Sequence, residues 1–159
     1  MRFNTRSHLG TLVTGTLALG LATGWSVREA QWAKAAGKRI PNGTVSLADV
    51  PLTDATDNGK PTGKAAVLLD GETPSTQSMQ VGRFLLDPGV EPHAPHKHAD
   101  EELLIVSRGT GEVYCNGKTV QVKPGAVMYA DPNVEHGIKN TGQRPLEFYW
   151  VKYLPHASK

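Results

Sequence analysis

The chain has 159 residues, with 17 Lys plus Arg against 15 Asp plus Glu and a formal net charge of +2. That length holds one domain of ordinary size with a short appendage, and the near-balance of charge excludes the clustered positive excess a nucleic-acid or polybasic membrane binder needs. The single cysteine, Cys115, excludes an internal disulfide framework and any C-x-x-C zinc or redox motif.

Both surplus positives, Arg2 and Arg6, stand at the N-terminus, and no charged residue follows until Arg28. Charge followed by a mainly apolar run reads as a secretory signal over residues 1–24, with Ala22-Thr23-Gly24 as the small-x-small cut and Ala33-Lys34-Ala35 as a second option. A retained anchor is the alternative, although the Gly and Thr content makes a poor permanent span. Either way the folded part is expected outside the cytoplasm, periplasmic or secreted, touching a membrane only through this segment. Residues 25–40 read as a linker, and Trp25 and Trp32 fall in the leader or linker. Residues 41–159 are then one domain.

From Pro41 to Ser78 short apolar pieces, Val45-Ser46-Leu47 and Ala65 to Leu69, alternate with turn clusters at Asp57-Asn58-Gly59-Lys60-Pro61 and Asp70-Gly71-Glu72-Thr73-Pro74. Helical periodicity is missing, which predicts strands at a sheet edge. Strands are predicted at Val81–Leu86 and Glu102–Val106. Glu112–Cys115 and Lys118–Val122 flank Asn116-Gly117, a pair suited to the positive φ values of a tight hairpin. Ala126–Ala130 and the aromatic run Phe148–Tyr153 complete the set. Many short strands, Gly/Pro/Asn turns and no amphipathic helix predict an all-β sandwich or barrel. No segment fits a helix-turn-helix.

Chemistry concentrates in four histidines away from the termini, His93, His96, His98 and His136. On a strand, residues two apart share a face, so His96 and His98 would stand side by side with Lys97 turned away. Glu102 can return a carboxylate to that pair from the next strand, and His136 can arrive from a distant one. Three neutral imidazoles and a carboxylate form a mixed N/O set suited to one divalent transition metal: Fe, Mn, Ni, Cu, Co or Zn.

The spacing resembles the cupin superfamily. Its first motif, G-x5-H-x-H-x3/4-E-x6-G, is matched from His96 through His98 and Glu102 to Gly109, and its second, G-x5-P-x-G-x2-H-x3-N, by Gly125, His136 and Asn140 in the right places. Three positions depart: Gly89 stands one residue too far from His96, Asp131 replaces Pro, and Asn133 replaces Gly. Asn tolerates the left-handed conformation, so the turn before His136 survives, and Asp131 before Pro132 reads as turn chemistry. The resemblance covers residues 79–153. It implies a double-stranded β-helix (jelly-roll) barrel with His96, His98, Glu102 and His136 as metal ligands; Glu101 is the rival carboxylate, but only Glu102 leaves six residues before Gly109.

His93, in the extended Pro92-His93-Ala94-Pro95, reads as a solvated loop residue, with contact to the site as the alternative. Tyr129, Tyr114 and Phe148-Tyr149-Trp150 read as core or pocket lining. Cys115 reads as a small buried apolar residue. The resemblance leaves two functions open: a metal-dependent oxygenase, lyase or isomerase on a small organic molecule, or a non-catalytic module that captures one. Glu112, Asp131 and His93 are the candidate proton-transfer groups, and homodimers through exposed strands are a further expectation.

Overall fold

In a computed structural model the protein is described over residues 38–157. The predicted signal and most of the predicted linker, with Trp25 and Trp32, lie outside the described residues. Lys38–Ile40, at the end of that linker, are hydrogen-bonded to Glu72 in both directions (Ile40 N–H to Glu72 O, 2.9 Å; Glu72 N–H to Lys38 O, 2.9 Å). Those residues join the folded unit.

The described residues form strands β1 (Thr53–Asp57), β2 (Lys60–Gly71), β3 (Thr76–Leu86), β4 (Glu101–Arg108), β5 (Gly111–Cys115), β6 (Lys118–Val122), β7 (Val127–Ala130), β8 (His136–Lys139) and β9 (Leu146–Pro155), with no helix among them. A six-stranded sheet runs β1-β2-β3-β9-β4-β7 and a three-stranded sheet β6-β5-β8. Every strand pair is antiparallel. The chain is an all-β jelly roll.

Strict alternation builds the core. In β3 and β4 every second residue turns inward, and Phe84, Leu86, Leu104 and Val106 meet Val113 and Ile138 of the smaller sheet in one apolar cluster. Phe84 and Phe148, opposite one another across β3 and β9, stack at 5.5 Å. Leu86 and Leu146 are fully buried, each burial worth about 1.5–3 kcal/mol.

The hairpin at Asn116-Gly117 forms as predicted, with φ values of 50° and 77°. Asn58-Gly59 makes a second such turn (48° and 76°), and its first arm is β1, a strand the polar run Thr53–Asp57 does not announce. Only Ala55 of β1 is buried, so the periodic apolar signal is absent. Val45-Ser46-Leu47, expected to be extended, forms no strand; it is exposed and leads into a turn over residues 47–49, closed from Asp49 N–H to Ser46 O at 3.0 Å. Asp70-Gly71, expected as turn, continues β2.

Asn140, the last residue of the second motif, is completely buried and saturated. Its Nδ2 donates to Leu86 O and Arg144 O and its Oδ1 accepts from Gly142 N–H, all at 2.9 Å. One side chain thereby ties the β8–β9 connection to the end of β3.

Candidate metal centre

The approach to the site is irregular chain. His96 and His98 were expected on one strand; only His96 makes a ladder contact, an isolated bridge to His136 (N–H to O, 3.0 and 2.9 Å), and Lys97 and His98 lie outside strand. The reason is long-range: the ladder partner of His96 is the first residue of β8, and His98 O is taken by Asn133 N–H at 2.7 Å. Asn133 holds φ 62°, the left-handed turn inferred for it. Asp131 closes this turn with Val134 N–H at 3.1 Å, and its carboxylate lies 2.8 Å from Tyr129 Oη.

The bridge and the turn bring three rings into a near-regular triangle, with centroids 5.2 Å (His96–His98), 4.9 Å (His96–His136) and 5.0 Å (His98–His136) apart. One ring nitrogen from each lies within 4.8 Å of the other two, a grouping compatible with a metal ion. Glu102, the second residue of β4 and buried, adds an oxygen. Its Oε2 is 2.8 Å from His98 Nε2 and 3.5 Å from His136 Nε2.

The outer nitrogens are already engaged. His98 Nδ1 lies 3.1 Å from Asp100 O and His136 Nδ1 lies 2.9 Å from Val134 O. A carbonyl only accepts, so each Nδ1 carries its proton and, in the neutral ring, Nε2 keeps the lone pair. Those Nε2 atoms face Glu102. His136 Nε2 is buried without a hydrogen-bond partner, because 3.5 Å to Glu102 is a charge contact rather than a hydrogen bond. A buried, orphaned acceptor is costly unless something binds it. The residues fit a metal.

Electrostatics agree in part. Burial, then His93 and His136, push His96 down to about 3, so it is neutral and able to ligate at pH 7. Burial alone would raise Glu102, but His136 and His98 outweigh it and hold the carboxyl at about 2. Burial would lower His136, yet the attraction of Glu102 raises it. A metal there competes with a proton.

Glu101 turns to the other face of the sheet. Its Oε2 accepts from Tyr129 Oη at 2.8 Å and Tyr153 Oη at 2.7 Å, away from the histidines.

A cavity of about 510 Å³ opens between the sheets beside the cluster. His93, His96, Glu102 and His136 line it, as do Phe148 and Trp150. His93 stays in a loop but its ring stands edge-on to His96 at 4.2 Å, so it contacts the site. Tyr129 and Tyr149 do not line this cavity; Tyr129 is on the outer face with Glu101. Tyr114 and Glu112 border a separate shallow cleft, bonded to Glu135 and Gln121. Cys115 is half-buried against the core, and burial raises its thiol. Gln80 and Lys152 are among the lining residues that sequence reasoning did not single out. The available signal was alternation, since Phe148, Trp150 and Lys152 share one face of β9.

Residues 82–152 match the family model for the cupin domain, Cupin_2. An oxalate-binding protein of Thermotoga maritima is 36% identical over 97 residues, covering 60% of this chain and 79% of the relative. A dimethylsulfoniopropionate lyase of Ruegeria pomeroyi is 26% identical over 97 residues, covering 61% and 63% respectively. Among solved structures, a predicted oxalate decarboxylase from Thermotoga maritima superposes with a TM-score of 0.59 at 28% identity, over 70% of this chain and 99% of the other.

Proposed function

The chain belongs to the cupin family, and from that footing we propose that His96, His98, Glu102 and His136 hold one divalent transition metal that binds a small organic molecule from the cavity between the sheets. The observation that carries this is His136 Nε2: its ring is oriented by Val134 O, and the nitrogen is buried with no hydrogen-bond partner. The N/O donor set suits Fe, Mn, Ni, Cu, Co or Zn. When bound, such an ion supplies Lewis acidity or an electron to its ligand.

The rest is the work of the chain. Asp100 O and Val134 O fix the tautomers of His98 and His136. Phe148 and Trp150 present apolar surface that displaces water from the bound molecule. His93, beside His96 and facing the cavity, is placed to take or give a proton. That placement favours catalysis of the oxygenase, lyase or isomerase kind. Capture without turnover is the second reading, supported by the relative that is an oxalate-binding protein. The charge-free stretch after Arg2 and Arg6 supports a working place outside the cytoplasm, with cleavage near residue 24.

Metal content of the purified protein by mass spectrometry tests the centre. Substrate panels with iron-, manganese- and nickel-loaded protein, followed by O₂ uptake and product detection, test catalysis. Product lost in His136→Ala supports the enzyme; stoichiometric binding with no product from any loaded form supports the module. Protein that takes up no metal from any of these ions overturns the proposal.

A further inference from the structure

Gln80 lines the cavity from β3 and is only 7% exposed, yet it carries a primary amide with one acceptor and two N–H donors. Trp150 fixes which end of that amide goes where. The indole Nε1–H can only donate, so the Gln80 oxygen must be the end that meets it, and the pair stands at 3.1 Å. The indole is itself held, because it covers Gly82, the residue opposite it in register, where any Cβ would strike the ring. The orientation of the amide is therefore set before any ligand arrives.

The nitrogen end is left over. Gln80 Nε2 makes no hydrogen bond among the described residues, and it is not sealed in the packing as the unpartnered Thr62 Oγ1 is. It borders open space, and the open space that Gln80 lines is the cavity. A nearly buried amide that faces a cavity with donors and no acceptor suits an oxygen that accepts. In the sheet Gln80 pairs with Lys152 and Lys152 with Glu102, so one strand, β9, separates the amide from the proposed metal. Two strand spacings are about 9.6 Å, and Glu and Gln side chains are equally long, so a molecule that serves both ends needs a chain of about four to six atoms. Phe148 and Trp150, on the intervening strand, give that chain apolar surface.

We infer that Gln80 is a specificity determinant whose amide N–H groups hold a carbonyl-type oxygen at the far end of the molecule that reaches the metal, so that the ligand class is a short oxo acid or related carbonyl compound. This rests on the metal reading above. Trp150 supplies the orientation, and Gln80 supplies the contact.

The test keeps the carboxylate of the probe constant and replaces a methylene by a carbonyl at two chain lengths: levulinate against valerate, and γ-acetylbutyrate against hexanoate. Each is titrated calorimetrically into zinc-loaded protein whose metal content is measured in the same samples. Wild-type protein is expected to bind at least one oxo acid about fivefold more tightly than its plain partner, the scale of one neutral hydrogen bond. The Gln80 side-chain amide protons should move downfield in heteronuclear NMR with that oxo acid and not with its partner. Gln80→Glu keeps an oxygen for Trp150 and loses the donors, so the ratio should fall close to one while the Trp150 indole N–H signal and the metal content persist. Gln80→Met should lose the ratio as well. A folding defect would instead weaken both members of a pair together, and the wild-type amide shift then decides without any variant. Zinc-holding wild type with no preference at either length overturns this inference alone, as does an amide signal indifferent to both oxo acids or a Gln80→Glu protein that still prefers them. Wild-type protein that takes up no metal overturns the metal reading, and the amide shift then reads Gln80 by itself: its appearance with an oxo acid sustains the contact, and its absence ends it.

Discussion

The position most sensitive to a single added methyl is Gly82, in the middle of β3 and opposite Trp150 of β9. Its backbone is not in the left-handed region, so alanine meets no conformational penalty there; a Cβ would instead fall inside the indole ring of Trp150. To regain a carbon contact of ~3.5 Å the ring must lift on the order of 1.5 Å. Gln80 is tied to that ring through Trp150 Nε1, and the cavity is the open space beside it. Overpacking costs about 1–3 kcal/mol. The strained Trp150–Gln80 hydrogen bond adds about 1 kcal/mol. For a domain of this size the sum lowers Tm by roughly 6–15 °C. Gly82→Ala should therefore melt earlier in calorimetry. Its metal content should match wild type, because the proposed ligands lie on other elements. A variant with wild-type Tm would refute the placement of Trp150 over Gly82.

Glu102→Gln should lose most of its metal by mass spectrometry while Glu101→Gln keeps it; the reverse result would move the carboxylate ligand one residue upstream. Adding manganese to metal-free protein should raise Tm, by the equivalent of about 2.7 kcal/mol at a hundredfold excess over Kd, and a chelator should reverse it; a Tm indifferent to metal would count against a folded-state site. Tyr153, whose phenol is raised by its hydrogen bond to Glu101 and then by burial, should ionise above its usual pH in an ultraviolet titration. The sign follows: a raised value favours the protonated fold below pH 10, and that stability is lost as the phenol ionises. In Glu101→Gln the Tyr153 transition should move down, and an unmoved transition would deny the contact. Finally, protein from the extracytoplasmic fraction should begin near Trp25, and intact Met1 in soluble cytoplasm would exclude export.

What could be read from residue order was whatever depends on neighbours in the chain. Asn116-Gly117 dictates its hairpin through local φ preferences, and Asn133 keeps its turn for the same reason. The four proposed ligands were legible because their spacing follows two motifs. Distant pairing hid the rest. His96 is held by β8 rather than by a strand of its own, which no local pattern foretells. β1 carries one buried side chain, Ala55, so it forms because β2 offers it an edge. Lys152 and Gln80 face the cavity only because β9 lies between β3 and β4 in one particular register. Glu112 and Asp131 were candidate proton-transfer groups and Tyr129 a candidate lining residue, and alternation with turn geometry sends them elsewhere.

The adjacent carboxylates that open β4 have a consequence for assembly. A slip of one residue against β9 would carry Glu102 out among Tyr129 and Tyr153 and bring Glu101 inside, while Leu103 and Ile105 replaced Leu104 and Val106 in the core. Two acids in succession make that slip look harmless to charge, since either side would still receive a carboxylate. The paired phenols and the histidine triangle remove the ambiguity, because only one alignment gives Glu101 both tyrosines and Glu102 both imidazoles. In the native register the tyrosine clamp on the outer face and the imidazoles inside therefore favour the same alignment of β4.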